Sequence, residues 1–130
     1  MIDVVCAVMF NSEGKVLLAR RSQSRNVGEW EFPGGKVISG ETFQTAIQRE
    51  VKEELNLDIV FLKKLKTLIK DDYLLHFVLC DLVGNTQNIQ LVEHDEVRFF
   101  NVFENPGVEL IDKDKSFFDS LKYSDYVPKN

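Results

Sequence analysis

The stretch from Gly35 to Leu57, GKVISGETFQTAIQREVKEELNL, constrains this chain more than any other. From Thr42 to Leu55 it holds no Gly or Pro, and its apolar residues fall at Ala46, Ile47, Val51 and Leu55. That spacing predicts an amphipathic helix. Thr42 or Ser39 supplies the cap at its start, and Asn56 stands where a left-handed stop is expected. At about 3.6 residues per turn, Glu50, Glu53 and Glu54 project within one turn of each other, beside the apolar stripe. Like charges so placed cost a few tenths of a kcal/mol each in a solvated helix. Partial burial costs more, unless a cation sits among them. Clustered hard oxygen ligands suit Mg²⁺ or Mn²⁺, and Mg²⁺ commonly brings a phosphate substrate with it. The rival is a solvated acidic helix face, and the flanking residues decide between the two.

Those residues have a fixed order. Gly35 is followed after five residues by Glu41, and after seven more by Arg49-Glu50, Val51, Glu53-Glu54, Asn56 and Leu57. The order resembles the signature of the Nudix hydrolases, Gly-x5-Glu-x7-Arg-Glu-apolar-x-Glu-Glu-x-Gly-apolar. It is complete except that Asn56 replaces the last Gly. At ordinary residue usage such a match arises by accident about once in 10⁸ windows, so chance is not a competitor. Asn ranks after Gly at a left-handed helix end, so the departure touches stability more than chemistry.

With 130 residues the chain is expected to form a single domain, 1–130. Its formal net charge of −5 argues against a nucleic-acid polymer as partner, but not against a free nucleotide that arrives with a divalent metal. Cys6 and Cys80 each lie in an apolar run without metal or redox spacing, which reads as buried free thiols in a reducing cytoplasm. The start, MIDVVCAVMF, has no basic region and carries Asp3 within its apolar stretch, unlike a signal peptide. No run approaches transmembrane length, so no membrane partner is expected. A monomer or homodimer is expected.

Taken in order, Asp3 to Phe10 reads as a strand buried on both faces, with Lys15 to Arg20 as its hairpin partner across Asn11–Gly14. A polar loop leads to Trp30-Glu31-Phe32-Pro33-Gly34-Gly35, where Pro33 and the two glycines form a wall beside the carboxylate helix. Arg20 and Arg21 point towards that loop. Asp58 to Lys70 alternates poorly but holds one or two strands, its lysines being a solvated face or edge protection. Tyr73 to Val83 is a strand in which His76 is read as packed or hydrogen-bonded. Gly84 to Asn88 is a loop, and Glu93-His94-Asp95-Glu96 a polar approach to the strand Val97–Phe100. Asp112 to Tyr123 closes the chain as a helix, and Tyr126 to Asn130 is a tail. The class is α+β with a mixed sheet. The resemblance implies the same: an α/β/α sandwich.

The resemblance covers most of the chain. Arg20-Arg21, WEFPGGKV, the motif, EHDEVRFF and IDKDKSFFDSL are similar to the MutT-type nucleoside triphosphate pyrophosphohydrolases. It implies that the Gly34 carbonyl, Glu50 and Glu54 hold Mg²⁺ (or Mn²⁺), with Glu53 as a further ligand. Glu93 falls at the family's downstream carboxylate, which binds metal or activates water, so Glu50 and Glu93 both stand as the base. Arg49 is implied to orient the glutamates, Glu41 and Gly35 to shape the loop–helix geometry, and Arg21 to contact nucleotide. Asp114 falls where the family reads the base; by itself it reads as a helix N-terminal residue favoured by the dipole. The implied activity is removal of oxidised dGTP-type nucleotides, releasing the monophosphate and pyrophosphate. The alternatives are a CTP or dCTP pyrophosphohydrolase, a dinucleoside polyphosphate hydrolase (Tyr73 stands where that subfamily has Tyr), and a non-catalytic nucleotide-binding module.

Overall fold

A computed structural model describes residues 1–84 and 86–128. Asn85, in the expected loop, and Lys129 and Asn130, at the end of the expected tail, lie outside the described residues. In chain order the elements are β1 (Ile2–Met9), β2 (Val16–Arg21), β3 (Trp30–Glu31), β4 (Gly34–Lys36), α1 (Phe43–Leu55), β5 (Asp58–Lys70), β6 (Tyr73–Val83), a 3₁₀ turn at Thr86–Asn88, β7 (His94–Phe100) and α2 (Asp112–Leu121). They form two compact units, Met1–Met9 with Pro33–Val92 and Phe10–Phe32 with Glu93–Asn130.

The first unit is a mixed four-stranded sheet in the order β4-β1-β6-β5, with α1 packed on it. Val5, Ala7, Val8 and Met9 are all fully buried, so both faces of β1 are covered. Its ladders run to β6 in parallel and to β4 antiparallel. The expected hairpin between β1 and β2 is therefore corrected. What remains of it among the described residues is the turn at Asn11–Gly14, the Asn11 amide donating to the Lys15 carbonyl at 2.8 Å, and an isolated bridge, Phe10 to Val16. Along its whole length β1 pairs with the apolar strand Tyr73–Val83, far along the chain, while its other edge takes the short segment Gly34–Lys36.

Helix α1 starts at Thr42, not Ser39. The Thr42 hydroxyl accepts from the Thr45 amide at 3.1 Å, and Thr45 Oγ1 returns the contact to the Thr42 amide at 3.0 Å. Ala46, Ile47, Val51 and Leu55 are the buried stripe, each apolar side chain contributing roughly 1.5–3 kcal/mol for the larger residues. Asn56 ends the helix in the left-handed region, φ 55° and ψ 38°.

The second unit is a three-stranded antiparallel sheet, β3-β2-β7, with α2. Its core includes Leu17, Leu18, Trp30, Phe32, Phe100, Phe117 and Phe118. Trp30 meets Phe100 edge-on with centroids 5.3 Å apart, and Phe32 meets Phe117 at 5.5 Å. β7 begins at His94, so most of the expected polar approach is already strand. α2 stops at Leu121, two residues before the expected end at Tyr123, and Asp114 lies inside its first turn. Within the described residues, no helix is long and apolar enough to cross a membrane.

Candidate active site

Arg49 gathers the Gly35–Glu54 stretch of the first unit into one hydrogen-bonded cluster. Its Nε donates to Glu41 Oε2 at 2.8 Å and Nη2 to Glu41 Oε1 at 2.9 Å, a bidentate fork. Nη1 donates to Glu50 Oε1 at 2.9 Å and Glu53 Oε2 at 3.3 Å, while Nη2 also reaches the Lys36 carbonyl at 3.1 Å. These five contacts equal the donor capacity of a guanidinium, leaving Arg49 none for a substrate. The seven residues between Glu41 and Arg49 carry the chain through the cap and the first two turns of α1, which returns Arg49 over the loop it left. Arg49, followed by the Ile38 amide, lowers the Glu41 carboxyl from an ordinary 4.5 to about 2. In return, Glu41, ahead of Glu50, raises the Arg49 guanidinium further above its ordinary range.

The glycine at the start of the motif has a steric reason. A Cβ on Gly35 would lie 2.5 to 2.7 Å from the three carboxylate atoms of Glu50. Gly34 has an equally tight setting, since a Cβ there would run into the Val5 carbonyl. Both residues belong to β4, whose pairing with β1 sets Gly35 opposite Val5 and Gly34 opposite Cys6. The sequence alone suggested a wall of Pro33 and two glycines and no strand here; the strand is too short for any periodicity to reveal it. Pro33 still offers its carbonyl, which accepts from the Ala7 amide at 2.7 Å.

Of the three clustered glutamates, Glu54 is buried at 7% exposure, Glu50 is largely covered, and Glu53 is exposed. Among the described residues no three His, Cys, Asp or Glu side chains converge into a ready-made metal cage. This donor set nevertheless fits Mg²⁺. That ion keeps several waters and takes one or two carboxylates together with substrate phosphates. A buried Glu54 beside Glu50 supplies hard oxygen of that number, and a cation offsets the cost of their proximity.

Arg21, Glu93 and Asp114, the remaining residues singled out in the sequence, belong to the second unit. Arg21 Nη1 donates to Glu31 Oε2 at 3.0 Å, and Nε donates to the Arg25 carbonyl at 2.7 Å. Glu31 Oε2 also lies 2.8 Å from Nε2 of His94, a ring that is 1% exposed. The sequence reading gave Glu31 and His94 no role. Their partners lie 10 and 63 residues away, and only the pairing of β2 with both β3 and β7 joins them. Glu93 is exposed, and its carbonyl accepts from the Ser22 amide at 3.1 Å and the Ser22 hydroxyl at 2.8 Å. Asp114 is buried at 6% exposure, and its Oδ2 accepts from the Phe32 amide at 2.8 Å.

Similar proteins agree with this architecture. The chain is 48% identical over 59 residues to CTP pyrophosphohydrolase of Escherichia coli, covering 45% of this chain and 43% of that protein. It is 32% identical over 71 residues to 8-oxo-dGTP diphosphatase of Proteus vulgaris, 54% and 63% of the two chains. The chain thus spans less than two thirds of these relatives' length. The solution structure of the E. coli ORF135 protein superposes with a TM-score of 0.77 at 28% identity, covering 95% of this chain and 89% of that one. The MutT NUDIX hydrolase structure from Burkholderia pseudomallei gives 0.78 at 23% identity over 91% and 95%, a likeness of fold. A model of the NUDIX domain matches residues 2–120, and the chain belongs to that family.

Proposed function

We propose that this chain is a Mg²⁺-dependent nucleoside triphosphate pyrophosphohydrolase, acting first on oxidised dGTP-type nucleotides. The observation that carries the reading is the saturated Arg49, which spends every donor on Glu41, Glu50, Glu53 and the Lys36 carbonyl. A structural ion pair needs one carboxylate. Holding three, with buried Glu54 on the same helix face, is the arrangement of a site that must keep negative charge oriented.

In this reading Glu50 and Glu54 hold the metal, with Glu53 and the Gly34 carbonyl as further donors. Bound Mg²⁺ supplies neutralisation of phosphate charge and a more acidic water. Arg49 keeps Glu50 Oε1 turned towards itself, which fixes the rotation of the whole carboxylate. Gly35 leaves the space that carboxylate occupies. A glutamate accepts the proton of the attacking water. Glu50 and Glu93 are the candidates, and Glu93→Gln against Glu50→Gln in single-turnover assays tells them apart.

A CTP or dCTP substrate is the second reading, favoured by the 48% identity to CTP pyrophosphohydrolase. Pyrophosphate release across a panel of 8-oxo-dGTP, dGTP, CTP, dCTP, UTP and a dinucleoside polyphosphate tests both. Glu54→Gln should lose at least about a hundredfold in turnover, near 3 kcal/mol of barrier. Normal turnover of that variant in Mg²⁺, or no pyrophosphate from any nucleotide with the wild type, would sink the proposal.

A further inference from the structure

We propose that a cavity between α2 and the loop before it is a binding site for a small organic cation, an amine carried on an apolar body, independent of the hydrolase reading. The cavity has a volume of about 590 Å³. Sites for small molecules run from roughly 300 to 1,000 Å³. It lies between residues 102–110 and the face of α2 that carries Lys115, Phe118 and Asp119, continued by Lys122 and Tyr123. All of these residues belong to the second unit, and none enters the proposed hydrolase site.

The loop wall is held in place before any ligand arrives. Its far end is tied to β3, where the Trp30 amide donates to the Glu109 carbonyl at 2.8 Å and the Ile111 amide to the Trp30 carbonyl at 3.0 Å. Within the loop, Asn101 Oδ1 accepts from the Phe103 amide at 2.9 Å and Asn105 Oδ1 from the Gly107 amide at 2.8 Å. The floor is apolar. Val102, Leu110 and Phe118 line it, each at 6% exposure or less. A ligand with an apolar body removes that floor from water, which a bare ion does not.

The rim is aromatic. Phe103 is 65% exposed and Tyr123 84%. Among the described residues these are the only exposed aromatic rings, and both line this cavity. Single exposed apolar side chains need no explanation, but two rings over one apolar floor mark a place where something binds. The Tyr123 ring already receives a cation from its own chain, since Lys122 Nζ lies 5.2 Å from its centroid.

Charge selects the ligand's sign. Lys115 is taken by Asp119 at 2.7 Å. Asp119, with a smaller addition from Glu109, raises the Lys115 ammonium, so the Glu109 carboxylate stands near this wall. Glu104 Oε1 accepts from Asn101 Nδ2 at 3.2 Å. Among the described residues, neither Glu104 nor Glu109 has a cation within 4 Å. Two carboxylates therefore stand against one remaining ammonium, Lys122, and the excess is negative. A phosphate or carboxylate ligand would meet that excess, and a neutral one would leave it unused. Solvation alone accounts for the two glutamates, but not for exposed rings above an apolar floor.

The test is a ¹⁵N NMR titration of the whole chain with 2-phenylethylammonium, beside its neutral counterpart 2-phenylethanol and the anion 3-phenylpropionate. The ammonium should shift amides within 102–110 and 115–123 saturably, with a Kd of about 1 mM, the scale for a ligand of that size. The alcohol should bind at least about fivefold more weakly, and the carboxylate more weakly still. Glu104→Gln/Glu109→Gln should remove the preference for the ammonium and leave the alcohol's binding as it was. Lys122→Ala should tighten the ammonium about two- to threefold, by freeing the Tyr123 ring. All three side chains are exposed, so the melting temperature should hold. The proposal fails if no saturable shift appears, or if the alcohol or the carboxylate binds as tightly as the ammonium. It fails equally if the shifts fall on the first unit, or if the paired glutamine variant keeps the wild-type preference.

Discussion

Arg49 meets Glu41 through two parallel hydrogen bonds, Nε to Oε2 at 2.8 Å and Nη2 to Oε1 at 2.9 Å. The fork closes the loop between β4 and α1 and has a pH signature. The Glu41 carboxyl is held at about 2 against an ordinary 4.5, so its contribution to stability is complete above about 4.5 and vanishes as pH falls towards 2. Glu41→Gln lacks that contribution at every pH. Its melting temperature should therefore fall less than the wild type's between about pH 4.5 and 2, read by circular dichroism. Parallel acid curves would show that the fork carries no linkage.

Gly35→Ala tests the space beneath Glu50. The new methyl lies within 2.7 Å of the carboxylate, which Arg49 holds through Oε1, so Glu50 must rotate away. Turnover should fall by about 10–100-fold, or 1.4–2.7 kcal/mol of barrier. The fold should survive, because the displaced group is the end of a side chain. A variant with normal kcat and an unchanged Mg²⁺ requirement would show that the orientation of Glu50 does not matter.

Asn56→Gly restores the residue the motif expects. Gly accepts the left-handed conformation more readily, but the Asn56 Nδ2 bond to the Asn88 carbonyl, 3.1 Å, is lost. The two effects oppose each other, and stability should move by no more than about 1 kcal/mol. Hydrogen exchange around the 3₁₀ turn Thr86–Asn88 should rise, since the Gln90 amide to Leu55 carbonyl bond would then hold that segment without the Asn56 side chain. We expect kcat unchanged within about twofold. A larger loss would give Asn56 a part in the reaction.

Asp114→Asn separates base reading from folding. The buried carboxylate accepts from the Phe32 amide, and Asn retains one acceptor oxygen for that bond. The melting temperature should change little, whereas Asp114→Ala should cost about 1–3 kcal/mol through the orphaned amide. An ionised carboxylate can take both N1–H and N2–H of guanine, or the amino group of cytosine, but only one bond from uracil. If Asp114 reads the base, Asp114→Asn should lose guanine or cytosine preference over UTP by about 1–3 kcal/mol in kcat/KM. Selectivity equal to the wild type's would leave Asp114 as the anchor of α2 to Phe32.

Some of this protein is determined by its sequence alone, because some of its forces act over a few residues. The stop of α1 follows from Asn56, its start narrows to Thr42 or Ser39, its buried stripe follows from a 3.6-residue period, and the proximity of Glu50, Glu53 and Glu54 from the same period. The spacing of Gly35, Glu41 and Arg49 already specified the family. The tertiary structure decided what depends on pairing between distant segments. β1 takes β6 rather than β2 as its ladder, because a doubly buried strand is stabilised by the most apolar partner whatever the chain separation. β3 and β4 are too short to announce themselves, and exist because β2 and β1 present them with open hydrogen bonds. Glu31 could not be assigned from its neighbours in sequence, since Arg21 and His94 reach it only across the second sheet. The lysines of β5 read as scattered until one bulge at Leu65, visible only against β6, brings Lys63 into phase with Lys66 and Lys70. Periodicity is a local quantity, and register is not.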